Sequence, residues 1–182
     1  VQIGPVPTGE YYELGRHEKN VLFEIDGLSA MDFYRRQIGK FDIQASQFPL
    51  AIYENDAASF YLRDPLFPNE EDGSITFVGT FPARAKARLT LVSRDGVCDS
   101  AARANTAVLA DDPPELILIF SCTSQRHVLG TRTNEMFTTL NEQSQTPYFG
   151  FYCYGEIAPF GIGKPTKFHN DTYIAVGLKS TP

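Results

Sequence analysis

A chain of 182 residues with 42% hydrophobic and 13% aromatic content is long enough to bury a full core. Its net charge of −6 and pI near 5.0, with scattered basic residues, argue against a nucleic-acid partner, which demands clustered Lys and Arg. No apolar run approaches the roughly 20 residues that span a bilayer, no signal-peptide pattern opens the sequence, and three cysteines lack metal-ligand spacing. The expectation is therefore a cytoplasmic chain with reduced thiols, no membrane partner, no metal and no other cofactor.

Residues 1–15 read as a linker-like segment, since Ile3 to Gly9 (IGPVPTG) holds two prolines and two glycines that oppose regular structure. The start at Val1 rather than Met suggests a piece of something longer. Residues 16–182 read as one domain, with two joined subdomains as the alternative. Val21 to Ile25 alternates like a strand, and Asp26-Gly27 turns the chain into a helix over Ala30 to Ile38. Ser29 is its N-cap with Asp32 three residues on, Ala30, Phe33, Tyr34 and Ile38 share one face, Arg35, Arg36 and Gln37 point away, and Gly39 supplies the stop.

The middle is strand-rich: Leu50 to Glu54, Phe60 to Arg63, Ser74 to Val78 and Ala87 to Val92. In the last, Leu89 and Leu91 are expected to face inward, and Arg88 and Thr90 outward. Arg63 is a candidate contact for an anionic ligand, the alternative being a surface ion pair with Asp64 or another carboxylate.

A second helix is predicted over about Cys98 to Ala110, with Val97, Ala101, Ala104 and Val108 at helical intervals, ended by Asp111-Asp112-Pro113-Pro114. Leu116 to Phe120 has no polar face, so it is expected in the middle of a sheet, covered on both sides. The polar stretch Ser121 to His127 follows, at the strand end where open sheets place ligands. A third helix over about Asn134 to Glu142 would bury Met136, Phe137 and Leu140.

Phe149 to Ile157 and Phe168 to Leu178 then read as an antiparallel pair, with Gly161-Ile162-Gly163 a turn rather than a phosphate loop. Such a pair would bring Glu156 to His169, Asn170 and Asp171, to bind a small polar molecule or simply to hold the loop by hydrogen bonds. The fold class is α+β: a mainly antiparallel mixed β-sheet, with a two-sheet sandwich as one form of it, and about three helices. Two enzymatic readings stand beside these. Cys122, with Arg126 and His127 near in sequence, has the makings of a nucleophile, against the commoner buried structural thiol. Glu156 and His169 have the makings of an acid–base pair.

Five motifs in order carry a family resemblance: EIDG (Glu24 to Gly27), LRDPL (Leu62 to Leu66), IFSCTSQRHVLG (Ile119 to Gly130), FGFYCYGEIAP (Phe149 to Pro159) and FHNDT (Phe168 to Thr172). Together they resemble the C-terminal domain of FIST proteins. The resemblance implies a non-enzymatic sensory domain of intracellular signal transduction that takes a small metabolite, an amino acid or a derivative. It also implies an N-terminal FIST domain as partner and, through F-box relatives, a protein-interaction module as the alternative function. Candidate ligand-binding residues are Arg63, Cys122, Arg126, Tyr154, Glu156, His169, Asn170 and Asp171, the last standing where the family pattern often has Gln. An α-carboxylate would seek Arg126 or backbone N–H groups, and an α-amino group Glu156 or Asp171. A domain separated from its partner is expected to expose an apolar patch, which a homodimer would cover.

Overall fold

A computed structural model of the chain describes residues 1–39, 47–55, 59–110, 112–160 and 163–180. The fold is α+β, and the chain divides into two compact units, Val6–Leu91 on one hand and Val1–Pro5 with Val92–Pro182 on the other. The opening strand β1 (Gln2–Ile3) thus belongs to the second unit, where it pairs with Thr172 and Tyr173.

In the Val6–Leu91 unit the supposed linker is also strand. β2 (Val6–Pro7) and β3 (Tyr12–Glu13) both pair with β12 (Ala85–Leu91), which corrects the linker reading. A proline is tolerated in β2 because it lies at a sheet edge, where a missing N–H costs no ladder bond. β4 (His17–Glu18), β5 (Val21–Leu22), β10 (Pro65–Pro68) and β11 (Ile75–Phe77) form a second antiparallel sheet in the order β10-β11-β5-β4. The run expected as one strand over Val21 to Ile25 is therefore two, because its end enters the hairpin β6 (Glu24–Ile25) and β7 (Leu28–Ser29). Asp26 and Gly27, at φ 52 and 75, supply the two positive-φ positions that a tight hairpin turn requires.

Helix α1 (Ala30–Ile38) has the predicted limits. The Asp32 N–H donates to Ser29 Oγ at 3.1 Å, Gly39 closes the helix at φ 87, and Ala30, Met31, Phe33 and Tyr34 are buried. β8 (Leu50–Glu54) and β9 (Tyr61–Arg63) pair beside β12. In β12 itself Thr90 is buried and Leu91 exposed, the reverse of the expectation. The cause is polar: the Thr90 hydroxyl and N–H both donate to Pro49 O, at 2.8 and 3.0 Å, which turns that side chain inward.

The second unit is built on β13 (Leu116–Cys122), which lies inside a four-stranded sheet. β14 (Tyr148–Cys153) runs parallel on one side and β17 (Thr172–Leu178) antiparallel on the other. β13 is central, as predicted, but Leu116, Leu118 and Phe120 are only partly buried, while Ile117, Ile119, Ser121 and the terminal Cys122 are buried. Ile117 and Ile119 face helix α2 (Arg94–Leu109), capped by Ser93, in a core with Val97, Ala101, Ala104, Met136, Leu140 and Tyr173. Asn105 of α2 donates to Met136 O at 3.0 Å and accepts from the Tyr173 hydroxyl at 3.1 Å, so the polar atoms in this core are paired.

The polar stretch after β13 is helix α3 (Thr123–Leu129), and the predicted third helix is split into a 3-10 stretch, Gly130–Phe137, and α4 (Thr138–Gln143). The two terminal aromatic runs pair with each other only where they adjoin, Glu156 with His169 and Ile157 with Phe168. Each breaks in two: β14 and β17 flank β13, while β15 (Glu156–Pro159) and β16 (Thr166–His169) form a separate antiparallel ribbon. Asp111 of the predicted helix stop and Gly161-Ile162 of the predicted turn lie outside the described residues.

Candidate functional site

The face of the β13 sheet turned away from α2 carries Phe120, Phe151, Ile174 and Val176, and the β15 ribbon leaves a cleft of about 560 Å³ against it. Cys153 and the run from Gly155 to Pro159 form the rest of its wall. Among the described residues, Glu156 is the one ionisable carboxyl lining this largely apolar space.

Local geometry explains how a carboxyl is brought there. Gly155, at φ 114, makes the sharp turn from β14 into β15, and a Cβ at this position would also collide with the Phe168 ring. The next residue, Glu156, stands opposite His169 in the β15–β16 register. Its side chain is buried and accepts two bonds, from Thr172 Oγ1 at 2.6 Å and from Cys153 Sγ at 3.2 Å. Burial dominates its titration: the pKa rises to about 7, opposed by these donors and reinforced by the nearby Asp171 charge. The Cys153 thiol is pushed up to about 12 by burial, then by its hydrogen bond to Glu156. At neutral pH it is a protonated donor rather than a nucleophile.

The other predicted residues occupy several different places. His169 is buried, with Nε2 2.8 Å from Ala158 O and its ring edge-on to Phe160 at 4.2 Å, so it braces the ribbon. Asn170 is buried beside it. Asp171, at φ 53, sits in the turn between β16 and β17 and ties that turn to α3: its carboxylate accepts from Ser124 Oγ, and its carbonyl from Gln125 Nε2 at 3.0 Å. Gln125 is held in turn by the Ser121 hydroxyl at 3.0 Å. Cys122 is buried, with its sulfur 3.0 Å from Ser124 Oγ. His169 and Asp171 thus hold the ribbon and the turn by hydrogen bonds.

Arg126 is exposed on α3, with its guanidinium 5.5 Å from the Tyr152 ring centre. Tyr152 alternates with Cys153 along β14 and points to the opposite face, so Arg126 does not line the cleft. Tyr154 is exposed at the bend after β14. Arg63 belongs to the other unit and is buried, not a surface ion-pair residue. Its Nε donates to Thr80 O at 2.9 Å, Nη1 to Leu62 O at 2.8 Å, and the guanidinium lies 4.3 Å from the Tyr61 ring centre.

Sequence reasoning missed Cys153 and the apolar wall. The available signal was the alternation of Phe149, Phe151 and Cys153, which puts a thiol on the same strand face three residues before Glu156.

The family model of the FIST C domain matches residues 30–159. The chain belongs to the FIST C domain family. This is a sensory-type domain family. The match takes in β13, β14 and β15, hence Phe120, Cys153 and Glu156, while the FHNDT motif and β17 lie beyond it. No curated protein and no solved structure matches this FIST C domain chain. Among its described residues no helix is long and apolar enough to cross a membrane.

Proposed function

We propose that the chain is a non-enzymatic signal-input domain, acting in the cytoplasm, which binds a small metabolite with an apolar body and an amino group. An apolar amino acid or a derivative of one fits this description. The observation that carries the reading is a single buried carboxyl, with a pKa of about 7, in the wall of an apolar cleft of about 560 Å³. The volume suits a small ligand. The walls take its apolar portion, and an ammonium group on Glu156 forms a charge-assisted hydrogen bond that offsets the burial of both charges.

A sensor needs reversible binding, and the chemistry of the cleft supports that over turnover. Cys153 is held as a protonated donor, and the His169 ring is engaged with Ala158 O. A ligand ammonium favours ionised Glu156, so binding in the neutral range releases a proton and weakens as pH falls below about 7.

The test is a calorimetric and thermal-shift series with leucine, phenylalanine, their decarboxylated amines and polar amino acids, on the whole chain and on Glu156→Gln. We expect heat and a raised Tm with the apolar amines or amino acids, lost in the variant. Absence of binding across the series overturns the reading. Equal binding by Glu156→Gln removes Glu156 from it.

A second reading, a protein-interaction module, draws support from a different observation. Phe149, Phe151, Tyr154 and Ile157 are all exposed around the end of β14. The N-terminal FIST domain that the resemblance implies is one partner such a surface would suit.

A further inference from the structure

The sequence of β14 reads Tyr148-Phe149-Gly150-Phe151-Tyr152, a palindrome about Gly150, and β14 is the last strand of its sheet among the described residues. We propose that β14 is a self-association edge: two copies of this chain pair β14 to β14 in antiparallel sense about a twofold axis at Gly150, joining their sheets.

The phase of the ladder fits this arrangement. Ile117 N–H donates to Pro147 O at 3.0 Å, and β14 runs parallel to β13 with Ile117 beside Tyr148 and Ile119 beside Gly150. In such a ladder Phe149 and Phe151 turn their backbone groups toward β13. The N–H and C=O of Tyr148, Gly150 and Tyr152 then point to the open edge. A twofold axis at Gly150 makes it a hydrogen-bonded pair with its own symmetry mate and makes Tyr148 with Tyr152 of the second copy another, about six backbone bonds in all. Phe149 and Phe151 of opposite copies become close non-hydrogen-bonded neighbours, and both faces gain aromatic cross-strand pairs. An isologous contact demands self-complementarity, which a palindromic strand supplies and an unrelated partner strand would not.

Charge and exposure point the same way. The chain carries a net charge of −6, so two copies repel except through a neutral surface, and Tyr148 to Cys153 contains no charged residue. Nor does this edge carry the Lys, Pro or bulge by which exposed edges are usually protected. Phe149 and Phe151 are each 60% exposed, so pairing the two edges brings apolar side chains into the contact along with the main chain.

The test is sedimentation velocity of the whole chain over a concentration series, with Phe149→Lys as the disrupting variant, since Phe149 does not line the cleft. We expect a monomer–dimer equilibrium that Phe149→Lys shifts to monomer while its far-ultraviolet circular dichroism is retained. A second measurement reads the register without relying on disruption. The double variant Phe149→Cys/Phe151→Cys should give a disulfide-linked dimer on mild oxidation, because position 149 meets 151 of the other copy. Each single variant should not, since neither position meets itself. A wild-type monomer at all concentrations, or efficient cross-linking by a single variant in place of the double, overturns the proposal.

Discussion

The two faces of the β13 sheet are built from the same strands and do opposite work. On one, Ile117, Ile119 and Tyr173 are buried beneath α2, and the polar atoms of Asn105 are paired. On the other, Phe120, Phe151, Ile174 and Val176 meet a cleft, and the carboxyl beside them is left with a pKa of about 7. The strand period of two makes this division possible, because neighbouring residues of one strand answer to different environments. The closed face supplies stability. The open face keeps apolar area and one costly ionisable group, a combination that would be eliminated if stability were the only requirement.

The largest expected contrast comes from cutting into each face. Ile117→Ala should lower unfolding stability by about 3 kcal/mol in a denaturant titration, through lost burial and a cavity, whereas Tyr154→Ala should change it by no more than about 0.5 kcal/mol. Equal losses would erase the distinction between the faces. Gly155→Ala should cost about 2 kcal/mol or more, because it combines a strained φ of 114 with a collision against Phe168. A wild-type melting temperature for that variant would mean that the turn placing Glu156 is not under constraint.

Glu156→Gln sharpens the comparison through pH. The carboxyl is raised from an ordinary 4.5 to about 7, so the folded state holds its proton more tightly than the unfolded chain does. Its contribution is fully present below 4.5 and is lost as pH rises through about 7, on the order of 3 kcal/mol in all. The stability difference between wild type and Glu156→Gln should therefore move in the variant's favour between these limits, and a constant difference across the range would contradict the assignment. A smaller loss, though above that of Tyr154→Ala, is expected at Cys122, a buried thiol 3.0 Å from Ser124 Oγ: Cys122→Ala should fold and lose about 1 kcal/mol. Rapid, stoichiometric labelling of Cys122 near pH 6 by a thiol reagent would reopen its nucleophilic reading.

Local signals in the sequence were read correctly where the physics was local. Ser29, Asp26-Gly27 and Gly39 set the limits of α1 because caps and turns depend on a few adjacent residues. The apolar run at Leu116 announced the centre of a sheet. Pairing across distance was less legible: Phe149 to Ile157 and Phe168 to Leu178 have the composition of a hairpin, yet β13 enters between β14 and β17, and no feature of either segment encodes that partner. The site followed the same rule. Glu156 opposite His169 was legible from the order of motifs, while Arg126 was misplaced because α3 was not recognised and its side chain falls on the Tyr152 face. Thr90 was misassigned because a hydroxyl satisfied by Pro49 O is as much at home inside as a leucine.

The most direct measurement is the titration of the Glu156 side-chain carboxyl by carbon-detected nuclear magnetic resonance, alone and with a saturating apolar amine. The account predicts a pKa near 7 in the free chain, falling when the ammonium group occupies the cleft. A value near the ordinary 4.5, unmoved by the amine, would contradict it.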